Sequence, residues 1–255
     1  MQTTAIITYI SNWLIEYVNT CNSKGFVIGI SGGIDSAVTS VLAAKTGLPL
    51  ICVEMPIHQN KTEVERGSKH IQWLRENFPN VSSKRIELTS TFDEFITKIP
   101  SNKNKLALAN TRSRLRMITL YYLAQDNNSL VIGTGNKVED FGIGFFTKYG
   151  DGGVDISPIA DLLKSEVYTL AKELSINDDV IIASPTDGLW MDNKTDEEQI
   201  GANYPELEWA MDFKGDEGSL SKREKEVLHI YKQLNYANQH KMKEIPVCII
   251  PKHLK

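Results

Sequence analysis

The run Gly29-Ile30-Ser31-Gly32-Gly33-Ile34-Asp35-Ser36 brings together adjacent glycines, two hydroxyls and a carboxylate. An apolar segment, Phe26-Val27-Ile28, precedes it, and the helical pattern Ala37-Val38-Thr39-Ser40-Val41-Leu42 follows. Strand, glycine turn and helix N-terminus in that order aim backbone N–H groups at one point, which suits a phosphate. Gly32 and Gly33 permit close backbone approach and positive φ, while Ser31 and Ser36 can donate to phosphate oxygens. Asp35 repels a phosphate unless a cation lies between them. A Mg²⁺ shared by Asp35 and a polyphosphate removes the conflict. The plain alternative is a tight turn with a capping serine. The run is not a Walker A loop, which ends Gly-Lys-Ser/Thr.

Three later segments carry charge at close spacing. In Asn110-Thr111-Arg112-Ser113-Arg114-Leu115-Arg116-Met117, Arg112 and Arg116 share a helix face and Arg114 points elsewhere. Arg114 can clamp a phosphate or carboxylate bidentately, or belong to a solvated face. In Gly133-Thr134-Gly135-Asn136-Lys137-Val138-Glu139, Thr134 can hydrogen-bond a nucleotide and Glu139 can be a second Mg²⁺ ligand facing Asp35. The third segment, Phe145 to Asp155, followed by Lys164, sets Lys148, Asp151, Asp155 and Lys164 among glycines. Its bland reading is a glycine turn between packed aromatics.

The elements that must position these groups alternate. Apolar periodicity predicts strands at 25–30, 48–53, 85–88 and 129–133, with a short fifth at 180–182. Helices fall over the N-terminal stripe (Ile6, Ile10, Leu14, Val18), 36–45, from Asn60 to before Pro79, around Phe92–Ile99, 103–125 and 163–174. Thr195 with Glu198, and Ser221 with Glu224, are capping boxes opening two late helices. The segment from Gly133 to Gly153 shows little regular periodicity. The expected fold is α/β, a parallel sheet with helices on both faces, over a single domain spanning 1–255. Ligands in such sheets gather at the carboxyl ends of the strands, here the glycine-rich loops after strands 1 and 4.

Composition sets limits. The 255 residues are 41% hydrophobic and 24% charged, consistent with a globular, cytoplasmic protein. No apolar stretch is long enough to span a bilayer. Cys21, Cys52 and Cys248 are too few and scattered for a disulfide framework or zinc site, and Cys52 reads as a buried thiol. A formal charge of −4 argues against extended nucleic-acid binding.

The first loop resembles the Ser-Gly-Gly-x-Asp-Ser signature of the ATP pyrophosphatases (PP-loop enzymes, with an adenine nucleotide alpha hydrolase-like fold). Taken with Asn110–Met117, the Gly133…Glu139 pair, Thr147-Lys148-Tyr149-Gly150-Asp151-Gly152…Asp155 and His240-Lys241, the chain resembles the ammonia-dependent NAD synthetases over nearly its whole length. The resemblance implies ATP contacts from Gly29, Ile30, Ser31, Gly32, Gly33, Ile34, Asp35, Ser36, Thr134, Lys164 and Thr186. It implies Mg²⁺ on Asp35 and Glu139. It implies deamido-NAD contacts from Arg114, Lys148, Asp155, His240 and Lys241, with Asp35, Asp151 and Lys164 serving the chemistry. Asp151 is the candidate acceptor of a proton from ammonium. The resemblance also implies a homodimer, and free ammonia is the expected nitrogen donor, since no glutaminase domain precedes the first loop. One departure stands out. Some relatives carry a lysine shortly before the Pro-Thr/Ser of a phosphate-contacting loop; Ala183-Ser184-Pro185-Thr186 has none, and Lys194 is the nearby substitute. The competing readings are a GMP synthetase-like or tRNA-modifying pyrophosphatase, and a nucleotide-binding module without turnover.

Overall fold

The structure, a computed structural model, describes residues 1–100, 104–185 and 195–255. Four parallel strands, β1 (Gly25–Gly29), β2 (Leu50–Glu54), β3 (Val81–Arg85) and β4 (Ser129–Val131), form a sheet of order β3-β2-β1-β4. β1 and β2 are central and buried on both faces, as continuously apolar strands of a parallel sheet must be. Phe26 pairs with Leu50 and Gly29 with Val53, so the two strands end level beneath the first glycine loop.

Helices cover both faces. α1 (Thr3–Thr20), α2 (Ile34–Ala44), α6 (Lys164–Glu173) and α7 (Asp178–Ile181) enclose one core with Phe26, Ile28, Leu50 and Cys52. On the other face α4 (Thr89–Thr97) and α5 (Lys105–Asp126) pack Phe92, Leu123 and Ala124 against Val27, Ile51 and Val53. α3 (Lys61–Asn77) lies beside β2 and β3. A third cluster joins a π-helical turn, Val138–Ile143, to α8 (Asp196–Ile200), α9 (Tyr204–Asp212) and α10 (Lys222–Met242).

Several expectations are corrected. The third strand is not 85–88 but Val81–Arg85, a sequence of Val, two Ser, Lys and Arg. An edge strand needs only part of its surface apolar, so hydrophobicity did not mark it. Ile86 and Leu88 follow it, their N–H groups donating to Glu54 and Pro56 carbonyls. Residues 180–182 are not a strand: Asn177 caps α7 by accepting from the Asp179 N–H, and Asp178 and Asp179 occupy the first turn. α9 was not expected, although Asn203 and Glu206 form its capping box. The stretch after β4 is not irregular throughout, since it holds the π turn. Cys52 is buried, its thiol pushed up to about 12 by desolvation.

Candidate active site

The loop after β1 is built by close approach of two glycines. Gly32 has φ +87°, and a Cβ there would lie 2.5 Å from the Glu63 carbonyl oxygen and 3.1 Å from the Gly67 nitrogen of α3. A side chain at Gly32 would push the helix off the loop. The Ser36 hydroxyl donates to the Gly33 carbonyl at 2.9 Å and sits 3.2 Å from Ser31 Oγ. The hydroxyls are thus ordered toward each other where a phosphate would compete for them. Above the loop lies a cavity of about 260 Å³. Of residues 29–36 all but Gly32 line it, together with Thr134, Glu139, Asp151 and Lys164.

Lys164 binds two acids at once. Its Nζ lies 2.6 Å from Asp35 Oδ2 and 3.0 Å from Glu139 Oε1, with the lysine residue 2% exposed. Lys164 is the first residue of α6, at the positive end of the helix dipole, a poor place for a cation. Glu166 fixes this turn by accepting from the Leu163 N–H at 2.9 Å, and Glu208 accepts from the Ser165 N–H and hydroxyl. Burial favours the neutral amine, but Asp35 and Glu139 outweigh it and hold the lysine above its ordinary pKa. Burial lifts Asp35 above the usual carboxylate value despite Lys164. At Glu139 burial is overcome by Lys164 and by the Tyr204 hydroxyl, and the pKa falls.

Asn136 and Tyr204 orient this cluster, and sequence reasoning gave neither a role. Asn136 is fully buried. Its Nδ2 donates to Asp35 Oδ1 at 3.1 Å, while its Oδ1 accepts from the Val138 and Glu139 N–H groups. One side chain therefore starts the π turn and joins the two acids. The Asn-x-x-Glu spacing is a capping signature that could have exposed it. The Tyr204 hydroxyl donates to Glu139 Oε1 at 2.6 Å. Nothing in the sequence around Tyr204 announces that contact.

Asp151 closes another wall. Its Oδ1 accepts from the Ser113 hydroxyl at 2.6 Å and the Thr147 N–H at 3.0 Å. Surrounding protein desolvates the carboxyl and raises its pKa even though the residue opens on the cavity. Asp140, also in the lining, is pushed up to about 8 by burial and then by Glu139, Asp151 and Asp35.

A second cluster stands beside the cavity. Arg114, exposed on α5, donates to the Lys148 carbonyl. The Lys148 ammonium bonds the His240 carbonyl, and Lys241 Nζ bonds the Gly144 and Phe146 carbonyls at 2.8 Å each. The four residues form a chain of contacts joining α5, the 144–148 segment and α10. None of the four lines the cavity. Asp155 is apart from both groups: it accepts from the Val131 N–H at 2.8 Å and the Tyr121 hydroxyl at 3.1 Å. Arg112 and Arg116 do share the inward face, Arg112 over the Phe92 ring and Arg116 on the Met55 carbonyl. Thr186 and Lys194 lie outside the described residues.

The donor set suits a hard cation. Asp35 and Glu139 offer carboxylate oxygens across a space now spanned by the Lys164 ammonium. Among the described residues no group of three or more His, Cys, Asp or Glu forms a cage of its own. Two carboxylates fit a Mg²⁺ that arrives with phosphates and completes its shell with them.

Residues 6–246 match the family model for NAD synthase. The chain is 39% identical over 250 residues to an NH(3)-dependent NAD(+) synthetase of Mycoplasma genitalium, covering 94% of this chain and 96% of the relative. It is 37% identical over 261 residues to an NH(3)-dependent NAD(+) synthetase of Syntrophomonas wolfei, covering 100% of both. Among solved structures, NMN synthetase from Francisella tularensis superposes with a TM-score of 0.87 at 32% identity over 99% of each chain.

Proposed function

The chain belongs to the NAD synthase family, and we propose that its cavity runs the ATP-dependent amidation of deamido-NAD by ammonia in two steps. A nicotinate carboxylate oxygen attacks the α-phosphorus of ATP, the bond to the bridging oxygen breaks, and pyrophosphate leaves. Ammonia then attacks the acyl carbon, the acyl–oxygen bond breaks, AMP departs with that oxygen, and NAD⁺ remains once the nitrogen sheds a proton. The observation that carries this reading is the buried Lys164 cation, preset between two acids beneath a phosphate-shaped loop.

Each side chain has a task. The 29–36 loop and Thr134 bind ATP through backbone N–H groups and hydroxyls. Lys164 keeps its proton and offsets charge on the departing pyrophosphate. Asp35 and Glu139 would hold Mg²⁺, which neutralises polyphosphate charge when bound. Asn136 and Tyr204 keep those acids in place. Asp151, with its raised pKa, accepts the proton shed on the way from ammonium to amide. Arg114, Lys148, His240 and Lys241 are the cationic cluster that would meet the anionic dinucleotide, and binding frees their donors from main-chain carbonyls. Holding two anionic nucleotides together is itself much of the catalysis.

Three further expectations belong here. Free ammonia is the donor, and the enzyme works in the cytoplasm as a homodimer; the exposed Ile118 and Tyr122 of α5 support the dimer, which sedimentation would test. No helix among the described residues is long and apolar enough to cross a membrane.

The likeness to NMN synthetase favours one second reading, in which the acid amidated is the mononucleotide. Chromatography separates the two readings. With ATP, Mg²⁺ and ammonium, deamido-NAD gives NAD⁺ plus AMP in the first, and nicotinic acid mononucleotide is the better substrate in the second. ATP turnover with xanthosine monophosphate alone would overturn both.

A further inference from the structure

The cavity that must accept ATP is itself acidic. Among its described lining residues, acids outnumber cations two to one. Of the three cations, Lys164 is already shared by Asp35 and Glu139, and Arg116 is bound to the Met55 carbonyl and Gln59 Oε1. The third is Arg66 on α3. Its Nε donates to the Gly32 carbonyl at 2.6 Å, so the guanidinium lies directly against the phosphate loop. Its two terminal nitrogens have no hydrogen-bond or ion-pair partner among the described residues. The side chain is half-buried and lines the cavity together with Ser31, Gly33 and Ser184. The glycine-to-glycine contact of Gly32 with Gly67 brings it there, since Arg66 immediately precedes Gly67.

We propose that Arg66 is a phosphate-binding residue of the reaction, with its terminal nitrogens forking onto the β- and γ-phosphates of ATP and then the departing pyrophosphate. The proposal rests on the amidation reading for its substrate, though not for its geometry. An arginine held by its Nε presents two parallel N–H donors at the spacing of phosphate oxygens, and little rotamer entropy remains to be lost. It also supplies a cation where Ala183-Ser184-Pro185 offers none. A purely structural Arg66, tying α3 to the loop, would have no use for those donors on the cavity side.

The test is calorimetric titration of the full-length protein with magnesium pyrophosphate, for wild type, Arg66→Met and Arg66→Lys, alongside steady-state kinetics. Arg66→Met is expected to weaken pyrophosphate binding by about tenfold or more, and to raise the KM for ATP while leaving the KM for deamido-NAD within about twofold. Arg66→Lys keeps the charge but loses the fork, and should weaken binding by about two- to fivefold. Wild-type pyrophosphate affinity in Arg66→Met, with any loss of turnover shared between both substrates and a lower Tm, overturns the proposal. If Arg66→Met does not fold, unchanged affinity in Arg66→Lys overturns it. Pyrophosphate binding that depends on Arg66, in a protein that makes no AMP from deamido-NAD and ammonium, would sink the amidation reading and leave the phosphate site. Turnover with Arg66-independent pyrophosphate binding would do the reverse.

Discussion

The two sides of the cavity differ in how finished they are. On the β1 side a buried Lys164 pairs with the half-buried Asp35 and Glu139, which Asn136 and Tyr204 hold. On the α10 side Arg114 and His240 are exposed, and Lys148 and Lys241 spend their donors on main-chain carbonyls. The first arrangement is set before ligands arrive, so little reorganisation remains for the chemical step. On the proposed reading the second is a rim whose bonds are exchanged for those of a substrate. Stability and turnover should therefore depend heavily on the first side, and substrate affinity on the second.

The largest test removes the charge at the centre. Lys164→Met strips two half-buried carboxylates of their shared cation and should destabilise the fold by about 3–5 kcal/mol, with AMP formation falling about 10³-fold or more. Urea denaturation and AMP assay would read the two effects. The folded pKa of Lys164 lies above its ordinary 10.5, so its stabilisation is fully present below that pH and is lost only as pH rises through the folded value. Wild-type stability in the variant at neutral pH would erase the contrast between the two sides.

Asp151→Asn comes next, with a loss of about 10²-fold at neutral pH if the carboxylate takes a proton from ammonium. The base must be ionised to act, and burial has raised its pKa. The wild-type rate should thus climb with pH as Asp151 ionises. The variant's defect should shrink at high pH, where free ammonia is plentiful. A defect of constant size across the pH profile argues for a structural Asp151.

Tyr204→Phe removes one donor from Glu139, and a loss of about 10- to 100-fold in apparent Mg²⁺ affinity is expected from such outer contacts. Magnesium titration of the rate would measure it; an unchanged curve would take Glu139 out of the metal site. Lys241→Met is the mildest. Two carbonyls lose a partner at a half-exposed position, for about 1–2 kcal/mol in thermal unfolding. Its kinetic mark should be a higher KM for deamido-NAD at unchanged KM for ATP, and a matching rise in both would merge the two sides into one.

The finished side was also the more legible one. The glycine loop and its aspartate declare strand, turn, helix and phosphate within one continuous run, because local backbone chemistry dictates all of them. Lys164 is nameable from the sequence, but its contacts with Asp35 and Glu139 bridge separations of 129 and 25 residues, beyond any local pattern. Asn136 is legible only through its spacing to Glu139, which spells a cap; its bond to Asp35 spans 101 residues. Tyr204 could not be found, since its hydroxyl meets Glu139 only through the packing of α9 on the π turn. The edge strand β3 and the short helix α7 were misplaced for one reason: apolar content was read where exposure and capping decide.

The most direct test of the central claim follows one oxygen atom. Deamido-NAD labelled with oxygen-18 in its nicotinate carboxyl would be turned over with ATP, Mg²⁺ and ammonium, and the products weighed by mass spectrometry. Attack of the carboxylate on the α-phosphorus predicts one labelled oxygen in AMP and none in pyrophosphate. Unlabelled AMP would contradict the adenylate route, and with it the role given to the loop, to Lys164 and to the acids it joins.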